Sequence, residues 1–151
     1  MLLGIDTATR YAGLALYNGE GVCSELSWLS NDNHTVELTP SLVEMLARQG
    51  LGVGALTGIA VSQGPGSFTG LRIGMSLGKG LAYALNVPIV AIPTLAVLAY
   101  SQRHQALPIC AVIRAGRGRI CAGFYRSGAQ WGSEGEHILT TIERLAGRVE
   151  R

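Results

Sequence analysis

The chain has 151 residues, 48% apolar and 15% charged, which supplies a real core and excludes disorder over most of its length. Its 21 glycines exceed ordinary usage but follow no three-residue period, so a collagen-like fold is excluded. The net charge of +2 conceals a gradient, −2 over residues 1–100 and +4 over residues 101–151, too weak a field to imply a nucleic-acid-binding face by itself.

Leu2 to Asp6 is an apolar run ending on a carboxylate and reads as a strand, and Tyr11 to Tyr17 reads as a second. Asn18-Gly19 is a strong hairpin signal, so Val22 to Leu29 completes a three-stranded antiparallel meander. The period then changes. Leu38, Leu42, Val43, Met45 and Leu46 fall at three-and-four spacing, which predicts an amphipathic helix from His34 to Gln49, with Asn33 as N-cap and Gly50 as stop. Pro40 either kinks this helix or marks its first turn after Thr39. Gly58 to Gln63 predicts a buried strand, Thr69 to Leu85 a second helix, and Pro88 to Ile92 another strand. Pro93-Thr94 opens a short apolar helix ending near Gln102. Ile109 to Ile113 and Ile120 to Tyr125 predict a hairpin around the arginine-rich turn Arg114 to Arg119, and Ile138 to Val149 a small helix after a polar, glycine-rich stretch beyond Ser127.

The order β-β-β-α-β-α-β-α implies a mixed α/β sheet, the ribonuclease-H-like lobe of the actin-like ATPase (ASKHA) class. Residues 1–105 are expected to form this lobe, and residues 106–151 a partial second lobe. Cys23, Cys110 and Cys121 show neither CxxC spacing nor a histidine cluster and are expected to behave as small buried hydrophobes in a reducing compartment. Asp6 and Arg10 interrupt the start, so no secretory leader is expected. Gly70 to Leu85 contains Arg72 and Lys79 and is short for a membrane span. The expectation is a cytoplasmic protein without membrane contact.

The sharpest feature is the run from Gly64 to Gly74 between the buried strand and the second helix. Glycines at 64, 66 and 70 permit close approaches, Ser67 and Thr69 add hydroxyls, and Arg72 could neutralise a phosphate at the helix start. The absence of Gly-Lys-Ser/Thr excludes a Walker A loop. The alternative is a tight strand-to-helix connection with Thr69 as N-cap. Asp6, with Thr7 and Thr9, sits in the first β-turn, where it either organises magnesium and water or closes an Asx turn on its own backbone. Gly70, Gly74 and Gly78 form a stripe along one helix face, each costing about 1 kcal/mol of propensity, so another backbone is expected there, either a sheet or a partner helix. His34, His104 and His137 lie apart, and His34 with Glu37 makes a poor metal site; no metal is expected.

Ile5 to Thr9 after an initial strand, His34-Thr35 leading into Leu38-Thr39-Pro40, Gln63 to Gly74, Gly80-Leu81-Ala82, Val87-Pro88 and Pro93-Thr94-Leu95 together resemble the TsaB (YeaZ) family over roughly residues 1–125. The resemblance implies a non-catalytic subunit in the synthesis of N6-threonylcarbamoyladenosine in tRNA. It also implies a heterodimer with a TsaD-like catalytic subunit of the M22 glycoprotease-like group, a TsaE-like ATPase, tRNA reached through the complex, and a homodimer when alone. Interface candidates are His34, Glu37, Ser41, Met45, Gly74 and Gly78. Nucleotide or anion candidates are Asp6, Thr7, Gly64, Gly66, Ser67, Thr69, Gly70 and Arg72, with ATP or ADP and magnesium expected at the complex and not on this chain alone. The catalytic relative carries a metal-binding His-x-x-x-His where this chain has Pro93 to Ala99 without histidine or acid. Family members also resemble one another in an acid and a Glu on the later hairpin, which Arg114 and Arg119 replace here. The competing expectations are an actin-like ATP-binding protein with weak ATPase activity and an M22-type glycopeptidase.

Overall fold

A computed structural model describes residues 1–30, 33–126 and 131–149, which divide into two units, Met1–Ile92 and Pro93–Arg151. In the first unit, strands β1 (Leu2–Asp6), β2 (Tyr11–Tyr17) and β3 (Val22–Leu29) form an antiparallel meander, and β4 (Gly58–Gly64) lies parallel to β1. With β5 (Ile89–Pro93) the sheet order is β3-β2-β1-β4-β5. The mixed sheet has the expected class. The hairpin loop is longer than the Asn18-Gly19 signal implies: Tyr17 pairs with Val22, and the Asn18 side chain accepts the N–H groups of both Glu20 and Gly21 at 2.9 Å. An Asx turn has replaced the two-residue turn.

Period-2 alternation turns Leu3, Ile5, Leu14 and Leu16 to one side of the sheet, with Ile59 and Val61 from β4. They meet the apolar face of helix α1 (His34–Arg48), where Leu38, Leu42, Met45 and Leu46 are buried. Pro40 lies inside α1, which begins well before it. Gly50, at φ 68°, ends the helix: its N–H donates to Ala47 and that of Leu51 to Leu46, the Schellman arrangement. Helix α2 (Phe68–Leu85) is capped by Ser67, whose hydroxyl accepts the Gly70 N–H at 3.2 Å, and not by Thr69. Ser67 keeps a non-helical backbone, whereas Thr69 is already one residue inside the helix. Asn86 closes α2 in the left-handed conformation.

The glycine stripe of α2 faces the sheet. A Cβ on Gly70 would overlap the Thr7 carbonyl oxygen, one on Gly74 the Thr7 hydroxyl, and one on Gly78 would sit 2.6 Å from Val61 Cγ1. The close neighbour is therefore this unit's own sheet.

The second unit begins earlier than the expected boundary at residue 105, because helix α3 (Thr94–Tyr100) packs with β6 (Ile109–Arg114) and β7 (Ile120–Arg126). Leu95, Ala99, Ile109, Ala111 and Tyr125 form its core. Strands β8 (Gly132–Ser133) and β9 (Ile138–Thr140) both pair with β7. The helix expected from Ile138 is split: Ile138–Thr140 joins the sheet, and α4 (Ile142–Val149) starts after Thr141, whose carbonyl accepts from Leu145. The β-branched residues here favour the ladder that β7 offers. Residues 127–130 of the polar stretch lie outside the described residues. No cysteine is fully buried: Cys110 is exposed and Cys23 and Cys121 are half-buried. Among the described residues no helix is long and apolar enough to cross a membrane.

Candidate functional site

The anion candidates separate into a closed cluster and an open one. In the closed cluster, the Asp6 carboxylate accepts the Ala8 N–H at 2.9 Å, the Asx turn that the sequence allows. Thr7 is buried; its N–H donates to the Ser62 hydroxyl at 3.3 Å and its own hydroxyl to the Gly70 carbonyl at 2.8 Å. The glycine loop rests directly on this turn. Gly64 takes φ 111°, the Ser67 N–H donates to the Ala8 carbonyl at 2.7 Å, and a Cβ on Gly66 would overlap that same carbonyl. The close approach permitted by Gly66 and Gly70 is to the chain's own turn. As folded, the inner side of the loop does not fit a phosphate, because Thr7 and Ala8 fill it.

Thr69 and Arg72 face elsewhere, into a cleft of about 500 Å³ between α1 and α2. His34, Thr35, Leu38 and Thr39 line it from α1, and Thr69, Arg72, Ile73, Ser76 and Leu77 from α2. The spacing explains the grouping, since residues three and four apart share one helix face. The floor is apolar and the rim carries hydroxyls and one guanidinium. His34 is only 6% exposed, and its Nε2 has no hydrogen-bond partner among the described residues. Arg72 is exposed, its guanidinium 5.3 Å from the centre of the Phe68 ring. Beside the cleft, Glu37 accepts the Trp28 indole N–H at 2.9 Å. The nearby Ser30 hydroxyl, the Trp28 indole N–H and the neighbouring His34 all lower the Glu37 carboxyl below its usual range. The Trp28 hydrogen bond is the contact the geometry shows, since the Ser30 hydroxyl makes no hydrogen bond of ordinary geometry among the described residues.

Of the interface candidates, His34 lines this cleft. Ser41 is half-buried, Met45 is buried in the core, and Gly74 and Gly78 are buried against β1 and β4. Burial takes Met45, Gly74 and Gly78 out of any partner-facing role. Sequence reasoning passed over Thr35, Thr39, Ile73 and Ser76 as site residues, although their three-and-four spacing on two helices was the signal that groups them. It also passed over an outer stripe on α1. Val36, Pro40, Val43 and Ala47, at i, i+4, i+7 and i+11, are all exposed, Val36 at 68% and Val43 at 51%.

The arrangement offers binding chemistry. Among the described residues no three His, Cys, Asp or Glu side chains come together as a metal site, and no carboxylate or thiol lines the cleft. In the second unit, the Tyr125 hydroxyl and His137 Nε2 lie 3.0 Å apart, and burial, with Cys121 nearby, pushes the Tyr125 phenol up. Leu95 and Ala99 of α3 are core residues of that unit.

A family model described as TsaD, tRNA N6-adenosine threonylcarbamoyltransferase, matches residues 20–147. The chain is 36% identical over 125 residues to the tRNA threonylcarbamoyladenosine biosynthesis protein TsaB of Bacillus subtilis (strain 168), covering 83% of this chain and 55% of that protein. It is 37% identical over 117 residues to the protein of the same description in Haemophilus influenzae, covering 76% of this chain and 49% of that one. Among solved structures, YeaZ from Pseudomonas aeruginosa superposes with a TM-score of 0.84 at 30% identity, covering 92% of this chain and 66% of that one. The chain spans about half the length of the curated relatives it matches.

Proposed function

The chain belongs to the TsaB (YeaZ) family, and from that premise we propose that it is a non-catalytic subunit in the synthesis of N6-threonylcarbamoyladenosine in tRNA, pairing with a TsaD-like catalytic subunit. The observation that carries this reading is the α1–α2 face. It presents an exposed apolar stripe, Val36, Pro40, Val43 and Ala47, beside a cleft with an apolar floor, a hydroxyl rim and a buried imidazole nitrogen that has no partner among the described residues. An apolar stripe at this spacing suits a second helix packed alongside, and the cleft suits a polar side chain inserted from it. His34 Nε2, without a partner among the described residues, then gains one. In the absence of the catalytic subunit, the same face serves an isologous homodimer, because one self-complementary patch is enough.

ATP or ADP with magnesium, a TsaE-like ATPase and tRNA engage the assembled complex in this reading, since the Asp6 turn and the glycine loop occupy one another. Co-purification with the cognate TsaD-like subunit, followed by a reconstituted tRNA modification assay with and without this chain, tests the reading. A chain that neither binds the subunit nor supports modification beside it overturns it. Magnesium-dependent ATP binding by the isolated chain in calorimetry, weakened by Asp6→Ala, would instead favour the ATP-binding alternative.

A further inference from the structure

The second unit carries a feature for which neither its core nor the α1–α2 face has a use. The turn between β6 and β7 runs Arg114-Ala115-Gly116-Arg117-Gly118-Arg119, and all three arginines are exposed. Its backbone is tightly specified. Gly116, Arg117 and Gly118 take φ of 73°, 54° and 71°, and the turn is closed by the Arg119 N–H on Gly116 and the Ala115 N–H on Arg119. Glycine or asparagine suits such a position, whereas a long side chain at φ 54° adds strain. Folding therefore gives no reason for an arginine at the apex. None of the three guanidiniums has an ion pair, hydrogen bond or ring contact among the described residues, in contrast to Arg126, which is held by Glu134, and Arg103, which lies over Tyr100. The residues between the arginines are glycine and alanine only, so the tip has cations and almost no apolar surface.

We propose that this hairpin tip is an RNA phosphate-backbone contact, a polyanion-binding finger without base readout; the identification of RNA as the polyanion rests on the tRNA-modification reading above. Protein interfaces draw their energy from buried aromatic and aliphatic anchors, and this tip offers none. A guanidinium matches a phosphate with two parallel N–H donors, and small glycine-rich backbone lets the strand come close. Contacts of this kind position a nucleic acid and release counterions. The unit as a whole adds to the attraction, since its sequence carries a net charge of +4 against −2 for the first unit.

The test uses the full chain and a fluorescently labelled, unmodified tRNA, with binding followed by anisotropy from about 50 mM to about 200 mM salt. The expected result is affinity that falls with salt, and a triple variant R114Q/R117Q/R119Q whose log–log salt slope is shallower by about 2, with roughly tenfold or greater loss of affinity at low salt. Arg117→Gly separates charge from fold: it relaxes the left-handed apex, so thermal stability holds or rises while RNA affinity falls. The triple lysine variant retains most of the slope. Equal affinity and slope for wild type and triple variant overturn the proposal, as does no measurable RNA binding at low salt. Stronger binding of polyglutamate than of RNA overturns it too, in favour of an acidic protein partner. The tRNA-modification reading is judged separately by co-purification and the reconstituted assay, so either idea can fail while the other stands.

Discussion

Glycine has opposite meanings at two positions of one helix. Gly74 and Gly80 both lie in α2 and carry the same propensity cost. A methyl group on Gly74 would overlap the Thr7 hydroxyl, which is engaged with the Gly70 carbonyl, while one on Gly80 meets nothing within 4 Å. Gly74→Ala is expected to destabilise by about 1–3 kcal/mol and Gly80→Ala to stabilise by up to about 1 kcal/mol, both read from urea denaturation. Glu37 supplies a pH-dependent counterpart. Its carboxyl is held below the ordinary value in the folded chain by Ser30 and Trp28, so its contribution is present above the unfolded carboxylate pKa and is lost as pH falls through the folded one. The melting temperature of Glu37→Gln should therefore fall less than that of the wild type on acidification into the carboxylate range. An identical acid limb for both proteins would contradict this.

At the scale of elements, start signals decide more than residue composition. Ser67 precedes the first helical residue of α2 and caps it, while Thr69, one position inside, faces the cleft. Ser67→Ala is expected to cost about 1 kcal/mol, and Thr69→Ala much less, a difference that thermal or chemical unfolding resolves. The strands β1 and β2 were legible because burial alternates along each, and β3 because it follows the turn signal at Asn18-Gly19, although its own alternation is weak. Strand β9 was not legible: three residues give no period, and only the open edge of β7 makes Ile138–Thr140 extended. The same holds for the longer turn after Tyr17, where one asparagine side chain, accepting two backbone N–H groups, selects the loop.

For the whole molecule, the decisive question is which faces are spent inside each unit and which remain. The stripe of small residues on α2 is spent on the sheet; the apolar stripe on the outer side of α1 is not. Val43→Glu is therefore expected to leave the melting temperature nearly unchanged, since Val43 is 51% exposed, yet to weaken pairing with a TsaD-like subunit by at least about tenfold. Unaltered co-purification of this variant would move the docking face elsewhere. The boundary of the units follows the same logic. A proline-led apolar helix could close the first lobe or open the second, and the contacts of Leu95 and Ala99 with Ile109, Ala111 and Tyr125 assign it to the second.

The sequence by itself determined the mixed sheet, the order of its strands and helices, and the family, because hydrophobic period and the Gly64–Gly74 run are local properties of the chain. Only the tertiary structure decided what the glycines approach. From the sequence, Gly66 and Gly70 served a phosphate or a backbone equally well; the fold brings the carbonyls of Ala8 and Thr7 into that space. It likewise joined Thr69 and Arg72 to His34 across two helices. Spacing along a chain shows which residues share a helix face, but what that face meets depends on contacts far apart in sequence.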